Sequence, residues 1–403
     1  MSGRTDIPLF KVHMGGSCAA NVQHVLESGF VGEGPRVREF ELQIGQLIES
    51  EFVVATNSAT SAIYLALSMV GVEENTEVIT TPVTAIATNA PIAVRKARIR
   101  WADVDPSTGT IDPRSVSDLV NSRTRAIIAV DLGGMPALVE EIRALVRDEI
   151  PIVEDAAQAF GASRHDRPLG IHARFTAFSF QGIKLVTCGD GGALVCNNSQ
   201  DYDRAVALRW FGLDRRLPRQ RVLELRELDV PEPGLKLHMN DVSAAIGLGQ
   251  LSSVDELLAA NRRCATLLTE RLLPHDIELG GMTPGADPSW WTYWIHVPDP
   301  VEAEATLVER GVACSQLMAR NDRLSGFGRA DRPLPGVDAF FAHALAIPCG
   351  WWLSDEDIDR VASTVIAVVD RQKGTCKREQ GSGYANDFRS STAVASGKGS
   401  AQG

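Results

Sequence analysis

The stretch RFTAFSFQGIKLVTCGDGGALVCNN (174–198) decides the fold, because two short apolar runs enclose a lysine and a glycine-rich turn. FTAFSF and GALVCN have the composition of strands, and GDGG supplies the turn between them. Lys184 lies between the two runs in apolar and glycine-rich surroundings. A partly desolvated lysine has a lowered pKa and can act as an amine nucleophile, forming a Schiff base with a carbonyl compound. Taken alone, a solvated lysine at a strand end remains the alternative.

Upstream of this stretch, short apolar runs alternate with helical patterns. The runs 52–58, 76–83, 97–105, 124–132 and 150–157 each end in polar residues, and helical patterns cover 35–50 and 59–71. Buried strands that alternate with helices predict an α/β domain with a mainly parallel sheet covered on both faces. In such sheets ligands bind beyond the carboxyl ends of the strands. Those ends carry Ser58-Ala59-Thr60, Asp103, Asp131 and Glu154-Asp155.

Two of these strand ends suit a phosphorylated cofactor. Ser58-Ala59-Thr60 stands where a strand turns into a helix, and free N–H groups at a helix start can hold a phosphate. Asp155 can pair with a protonated pyridine nitrogen, which keeps the ring able to accept electrons. Taken singly, Ser58 and Asp155 are each better explained as helix caps. A phosphate cradle, a strand-end aspartate and then a lysine follow the order expected for pyridoxal phosphate.

The sequence downstream of the lysine predicts a second, smaller domain. A helical pattern runs from Asn240 to about Leu273, and 290–371 has its own strand-like WTYWIHV and helices at 301–311 and 354–370. We therefore predict an N-terminal arm and large domain over 1–255 and a small α+β domain over 256–371. The remaining 372–403 is rich in Gly, Ser, Lys and Gln, and this composition predicts a disordered tail.

Composition excludes several classes of function. The 403 residues carry a formal net charge of −11, which disfavours nucleic acid and anionic membranes as partners. No apolar stretch approaches the roughly 20 residues that span a bilayer, and the start lacks a signal-peptide pattern, so a cytoplasmic protein is expected. The seven cysteines form no C-x-x-C and the histidines no H-E-x-x-H, so neither a disulfide framework nor a metal site is expected.

Several motifs together resemble one known family. GEGPRVREFE (32–41), EDAAQAFGA (154–162), FSFQGIKLVTCGDGGALVCN (178–197) and HMNDVSAAIGLGQL (238–251) are similar to segments of the DegT/DnrJ/EryC1/StrS aminotransferases. The resemblance runs in order from about residue 8 to 370. It implies the fold type I of pyridoxal-phosphate enzymes, similar to aspartate aminotransferase, with a large domain built on a mainly parallel sheet and a smaller C-terminal α+β domain.

The resemblance also implies roles for single residues. Lys184 would form the Schiff base with pyridoxal 5′-phosphate, and Asp155 would pair with its ring nitrogen. Gln158 matches the family position at the face of the ring, near the phenolic oxygen. The implied phosphate contacts are Ser179, Ala59 and Thr60. No metal is implied.

The chain departs from the family pattern at two places. Ala85 stands where many members place an aromatic residue that stacks on the cofactor ring. In GLKLHM, Lys236 takes the position of an asparagine that reaches the partner subunit's phosphate, and His238 takes that of an arginine. Members are homodimers with shared active sites, so Lys236 is a candidate to bind the phosphate across the dimer; a contact with the substrate diphosphate and a solvated lysine are the alternatives. His238 and Arg320 are candidate substrate contacts, whereas Trp351 and Trp352 are expected to pack.

The implied reaction is a ping-pong transamination in amino-sugar biosynthesis, with an amino acid, L-glutamate, as the expected donor. The expected acceptor is a nucleotide-linked keto-deoxysugar, and a cyclitol or another non-nucleotide ketone is the alternative. A related deoxysugar dehydratase would carry His at the position of Lys184. A pyridoxal-phosphate-binding regulatory protein without turnover also remains an alternative. A nicotinamide oxidoreductase is disfavoured because GEGPRV (32–37) lacks the third glycine and follows no strand.

Overall fold

The computed structural model of the protein describes residues 6–216 and 229–386, with side chains described as far as Gly374. The strands in the described part are β1 (Val53–Thr56), β2 (Glu77–Thr80), β3 (Arg98–Trp101), β4 (Thr124–Val130), β5 (Ile152–Asp155), β6 (Ser163–Arg164), β7 (Arg167–Pro168), β8 (Phe175–Ser179), β9 (Gly192–Cys196), β10 (Glu278–Leu279), β11 (Ala286–Asp287), β12 (Tyr293–His296) and β13 (Ala344–Ile347).

The helices in the same part are α1 (Cys18–Ser28), α2 (Pro35–Leu47), α3 (Ala59–Met69), α4 (Ile86–Val94), α5 (Pro113–Leu119), α6 (Val139–Leu145), α7 (Ser199–Leu208), α8 (Asp241–Leu251), α9 (Val254–Leu272), α10 (Pro300–Glu309), α11 (Pro335–His343) and α12 (Asp355–Asn386). Short 3-10 turns cover Leu132–Gly134, Leu273–His275 and Asn321–Arg323.

A seven-stranded sheet with the order β1-β9-β8-β5-β4-β2-β3 forms the centre of the protein. Strands β8, β5, β4, β2 and β3 pair in parallel, whereas β9 is antiparallel to both β8 and β1. Six of the seven strands therefore run in one direction and end at one edge. The prediction of an α/β fold with a mainly parallel sheet is confirmed.

The sheet is buried on both faces, which explains its nearly uniform apolar strands. On helix α2, Val37, Phe40 and Ile44 form the stripe that packs inward, and Pro35 occupies the first turn, where its missing N–H costs nothing. Helix α3 is almost wholly apolar and packs on the opposite face of the sheet, mainly against β8 and β9, so most of its side chains are buried.

The C-terminal part of the chain has a core of its own. A three-stranded sheet of order β10-β12-β13 packs against α9, α10 and α12. Ile7, from the N-terminal arm, joins this core and pairs with Val312. Helix α9 begins at Val254 and continues to Leu272. The domain boundaries at 255 and 371 stay predictions.

Two expectations differ from the structure. The helical pattern from Asn240 to Leu273 forms two helices, because Ser253 leaves helical dihedral angles (φ −106°, ψ 2°) and serine favours helix ends over interiors. Residues 372–386, which belong to the predicted tail, are part of helix α12 in the structure. Gln372 ties this helix to the chain by donating to the Asp299 carbonyl at 2.8 Å. Residues 387–403 lie outside the described residues.

No helix in the described ranges is both long enough and apolar enough to cross a membrane.

The turn from β1 into α3 gives a first testable prediction. A Cβ at Gly192 would lie 2.3 Å from the Ser58 carbonyl carbon and 2.4 Å from the Ala59 nitrogen, so Gly192→Ala must displace this turn. We expect a loss of about 1–3 kcal/mol in the free energy of unfolding, measured by denaturant titration. Gly182→Ala is the control, because its nearest neighbour would be the Gly189 carbonyl at 3.9 Å. Equal stability of the two variants would contradict the close approach.

Candidate active site

A cavity of about 310 Å³ lies at the edge of the sheet where the parallel strands end. It is lined by Ser58, Ala59, Thr60, Ile63, Ala85, Ala87, Thr88, Asp155, Ala157, Gln158, Ser179, Gln181, Lys184, Asp190 and Gly191. Six residues predicted for the cofactor are thus brought together. A larger surface cavity of about 600 Å³ beside α2 contains none of the predicted residues.

The start of helix α3 forms one wall of this cavity. Ser58 caps the helix, because its side chain accepts from the Ser61 amide at 3.1 Å. The amides of Ala59 and Thr60 find no acceptor among the residues that the structure describes. Ser179 ends strand β8 at the same cavity. Two free amides at the positive end of a helix dipole, with a nearby hydroxyl, can hold a phosphate group.

Asp155 ends strand β5, and its carboxylate is almost fully buried at 4% exposure. Its Oδ2 accepts from the Thr88 hydroxyl at 2.6 Å, and its Oδ1 accepts from the Ala157 amide at 3.1 Å. Burial raises the pKa of Asp155, while the two hydrogen bonds and the charge of Lys184 act in the opposite direction. A cationic N–H in the cavity would favour the ionised carboxylate further.

The other strand-end acids point elsewhere. Glu154 lies on the opposite face of the sheet from Asp155, since successive side chains of a strand alternate. It accepts from the Thr176 hydroxyl at 2.9 Å, and burial raises its pKa to about 7. Asp131 accepts from the Ala137 amide, and Asp103 accepts from the Gly336 and Val337 amides at the start of α11. Among these acids, only Asp155 lines the cavity.

Lys184 reaches the cavity from the connection between β8 and β9. Its backbone N–H donates to the Gln181 carbonyl at 2.9 Å, which forms a tight turn. Burial lowers the pKa of its amine to about 8, although the charge of Asp155 opposes the shift. The Nζ atom lies 3.7 Å from the centre of the Trp291 ring, and the Trp291 indole N–H donates to the Ile183 carbonyl. The indole thus provides a cation–π contact for the amine.

Gln158 is buried beside the cavity. Its Oε1 accepts from the Gly133 amide at 2.7 Å, which fixes the side chain. The Ser289 hydroxyl donates to the backbone carbonyl of Gln158 at 3.4 Å. Gln158 is therefore held from two sides while it still lines the cavity, as expected for a residue at the face of a bound ring.

Three predicted residues are not in the cavity lining of this chain. Lys236 is exposed, and its Nζ lies 5.7 Å from the centre of the Trp210 ring. His238 is half-buried with its ring edge against Trp210, and burial lowers its pKa. Arg320, the other candidate substrate contact, also lies outside the cavity lining. Its guanidinium already pairs with Asp322 and Asp338, so its charge is compensated within the chain.

Ala85 and the two adjacent tryptophans also have defined positions in the structure. Ala85 is exposed at the start of α4 and lines the cavity, so that wall carries only a methyl group. Trp352 donates its indole N–H to the Pro8 carbonyl, and Trp351 packs edge-on against His13. The tryptophans therefore tie the N-terminal arm to the C-terminal part of the chain.

The residues present fit the predicted pyridoxal phosphate. The free amides of Ala59 and Thr60 suit its phosphate, and the buried Asp155 carboxylate suits its protonated ring nitrogen. The amine of Lys184, with its lowered pKa, suits its aldehyde. Across the described ranges no group of three or more His, Cys, Asp or Glu side chains is arranged to hold a metal ion.

Sequence reasoning missed three residues around this site. Thr88 donates to Asp155, Trp291 contacts Lys184, and Asn321 donates to the carbonyl of Thr84 in the loop before α4. Each contact joins positions that are far apart in the chain, so no local pattern indicates it. Asn321 follows Arg320 in the segment RNDR (320–323), whose sequence does not indicate that it contacts the loop before α4.

Comparison with known proteins agrees with this geometry. Residues 13–366 match the sequence model of the DegT/DnrJ/EryC1/StrS aminotransferase family. The structure is similar to AtS13 from Actinomadura melliaura, with 35% identity, a TM-score of 0.86 and coverage of 91% of this chain and 100% of that chain. It is also similar to the sugar aminotransferase CalS13 from Micromonospora echinospora, with 35% identity, a TM-score of 0.85 and coverage of 90% and 99%.

A further solved structure shares the fold at lower identity. The PLP form of Spr1654 from Streptococcus pneumoniae has 24% identity to this chain and a TM-score of 0.83. The match covers 91% of this chain and 99% of that chain.

The environment of Lys184 gives the second testable prediction. In the cofactor-free protein, competitive acetylation followed by peptide mass spectrometry should show Lys184 titrating at about pH 8. An unperturbed lysine titrates at about pH 10.4. Asp155→Asn removes the charge that favours the protonated amine, so the midpoint should fall further. A midpoint near that of exposed lysines, or no response to Asp155→Asn, would show that the two groups are not coupled.

Proposed function

The chain belongs to the DegT/DnrJ/EryC1/StrS aminotransferase family, and from this premise we propose that it transfers the amino group of L-glutamate to a nucleotide-linked keto-deoxysugar. The cavity at the carboxyl edge of the sheet carries this proposal. It combines a phosphate cradle, a buried carboxylate and a lysine with a lowered pKa within one volume. The similarity to the sugar aminotransferase CalS13 supports a sugar as the acceptor.

The protein is a pyridoxal-phosphate-dependent aminotransferase. Bound pyridoxal phosphate supplies an electron sink for the carbon from which a proton is removed. We assign its phosphate to the amides of Ala59 and Thr60 and to the hydroxyl of Ser179. Asp155 would hold the proton on the ring nitrogen, and Gln158 would bound one face of the ring.

Lys184 is proposed as the catalytic residue that attaches the cofactor and moves the proton. Its Nζ would take the proton from the Cα of the amino-acid donor and later return it. General acid–base catalysis works best when the pKa of the group lies near the working pH. Burial brings the pKa of this amine to about 8, so both protonation states are accessible near neutral pH. An ordinary lysine at pH 7 holds its proton in all but roughly one molecule in a thousand.

We propose further that the active protein is a homodimer and that Lys236 binds the cofactor phosphate of the partner subunit. Lys236 is exposed, and its segment lies next to the phosphate cradle, because the Asn57 amide donates to the Leu237 carbonyl at 2.8 Å. Thr56 also pairs with His238. A lysine can pair with a phosphate as a point charge. His238, whose buried Nδ1 has no partner among the described residues, remains a candidate contact for the acceptor.

The reaction can be tested directly on the purified protein. Borohydride reduction should fix the cofactor's mass on the peptide that contains Lys184, and Lys184→Ala should abolish both labelling and turnover while retaining the fold. Label on another lysine would overturn the assignment. Nucleotide ketosugars and cyclitol ketones should then be assayed with glutamate and glutamine as donors, with product masses as the readout.

Conversion of a nucleotide ketosugar with glutamate is the expected result of that assay. Exclusive conversion of a cyclitol ketone would replace the proposed acceptor. Labelling of Lys184 without any amino transfer from either donor would favour a regulatory protein that binds the cofactor.

Lys236 is tested by a mixed dimer. Lys236→Ala should weaken cofactor binding by about tenfold or more, which corresponds to roughly 1.4 kcal/mol, and Lys236→Arg should restore most of it. A dimer of one Lys236→Ala subunit and one Lys184→Ala subunit contains one complete site if Lys236 acts across the interface. It contains none if Lys236 acts within its own subunit. A rise confined to the acceptor's KM would place Lys236 at the substrate diphosphate instead.

A further inference from the structure

A chain of buried hydroxyl groups leads away from the carboxylate of Asp155. Thr88 Oγ1 donates its proton to Asp155 Oδ2 at 2.6 Å. The hydroxyl of Thr88 has no second proton, so in its 2.7 Å contact with Thr84 the Thr84 hydroxyl is the donor. Both threonines are at most 1% exposed. The direction of every hydrogen bond in this chain is therefore fixed, and each bond points toward Asp155.

The far end of this chain is held by a residue from the C-terminal part of the protein. Asn321 is fully buried and donates from Nδ2 to the Thr84 carbonyl at 2.8 Å. Its Oδ1 accepts from Asn89 on α4 at 3.1 Å, and its backbone N–H donates to the Pro82 carbonyl at 3.2 Å. Asn321 thus fixes both the loop before α4 and the helix itself.

Ion pairs of the neighbouring Arg320 hold Asn321 in this position. Arg320 donates to both oxygens of Asp322, at 2.7 Å and 3.0 Å, and it also pairs with Asp338 on α11. These contacts join the short 3-10 turn Asn321–Arg323 to α11. Through Asn321, the segment RNDR (320–323) therefore fixes the position of the loop before α4.

The hydroxyl of Thr88 matters for the charge of Asp155. A buried carboxylate tends to take up a proton, because burial disfavours its ionised form. The hydrogen bond that the Thr88 hydroxyl donates to the carboxylate opposes this tendency, because it stabilises the ionised form of Asp155. It also fixes the rotation of the carboxyl group, so that the remaining lone pairs of both oxygens have defined directions.

We propose that Thr88 is a positioning residue that keeps Asp155 ionised and oriented toward the cofactor's ring nitrogen, and that Asn321 extends this control to the C-terminal part of the chain. The inference rests on the proposed pairing of Asp155 with that nitrogen. A purely structural role of Thr88 would affect the stability of the protein but not the ionisation in the cavity.

The test compares Thr88→Val, which keeps the shape and removes the hydroxyl, with Thr88→Ser, which keeps the hydroxyl. The first readout is the absorbance of the bound cofactor as a function of pH, with Asp155→Asn as the reference. Thr88→Val should move the titration midpoint by at least about 0.5 pH units in the direction set by Asp155→Asn, and Thr88→Ser should restore it. In the donor half-reaction, kcat should fall at least about tenfold while the donor's KM stays within about twofold.

The second readout uses the full chain without cofactor. Thr88→Val should raise the pKa of Asp155, measured as the titration midpoint of the carboxyl infrared band that Asp155→Asn removes. Thr110→Val is the matched control, because Thr110 is also buried and shares a 2.8 Å hydroxyl contact with Thr108. It should lower the unfolding temperature to a similar extent but leave both midpoints unchanged.

Asn321→Ala should shift both midpoints in the same direction as Thr88→Val but by less, because a backbone hydrogen bond to Pro82 remains. Wild-type midpoints in Thr88→Val, or equal shifts in Thr110→Val, would overturn the role of Thr88. A wild-type midpoint in Asn321→Ala would overturn the extension to the C-terminal part. If Asp155→Asn itself leaves the spectrum unchanged, the proposed role of Asp155 fails first.

Discussion

One buried negative charge is the constraint on which this site depends. The carboxylate of Asp155 lies at the end of a central strand, where ionisation is unfavourable unless donors or cations surround it. The protein supplies a hydroxyl from α4, an amide from the turn that follows β5 and an amine from the connection after β8. These groups come from three separate elements, so the charge can be maintained only in the complete fold.

The sheet brings these elements together through its topology. Parallel strands deliver Asp155 and the phosphate cradle to one edge. Lys184 does not follow a parallel strand. It lies in the connection between β8 and the antiparallel β9, where the chain turns back at the same edge of the sheet. Gly192 then allows β9 to pass against the start of α3 at a distance that a side chain would prevent. Fold and site therefore share the same few contacts.

Much of this could be predicted from the sequence, and the failures have a common physical cause. Strand-end positions and the motif around Lys184 are local patterns, so the fold class and the roles of Ala59, Thr60, Asp155 and Lys184 were accessible. Gln158 and Ser179 were indicated only by the family resemblance. The ion pair between Arg320 and Asp338 was not predicted, because Asp338 lies on another element. Thr88 contacts a carboxylate 67 positions away, and this pairing exists only after the sheet has formed. The helix break at Ser253 depends on dihedral angles that the apolar pattern does not reveal.

Ala85 has a consequence for how such a site can change over evolutionary time. Its side chain is exposed at the start of a helix, while the neighbouring Thr84 and Thr88 are buried and hydrogen-bonded. Exposed positions without special contacts tolerate substitution at a cost of about 0.5 kcal/mol or less. A single substitution at Ala85 can thus change the volume of the cavity without weakening the fold. The site thus combines an exposed wall that substitution can reshape with a buried network whose side chains are fixed by hydrogen bonds.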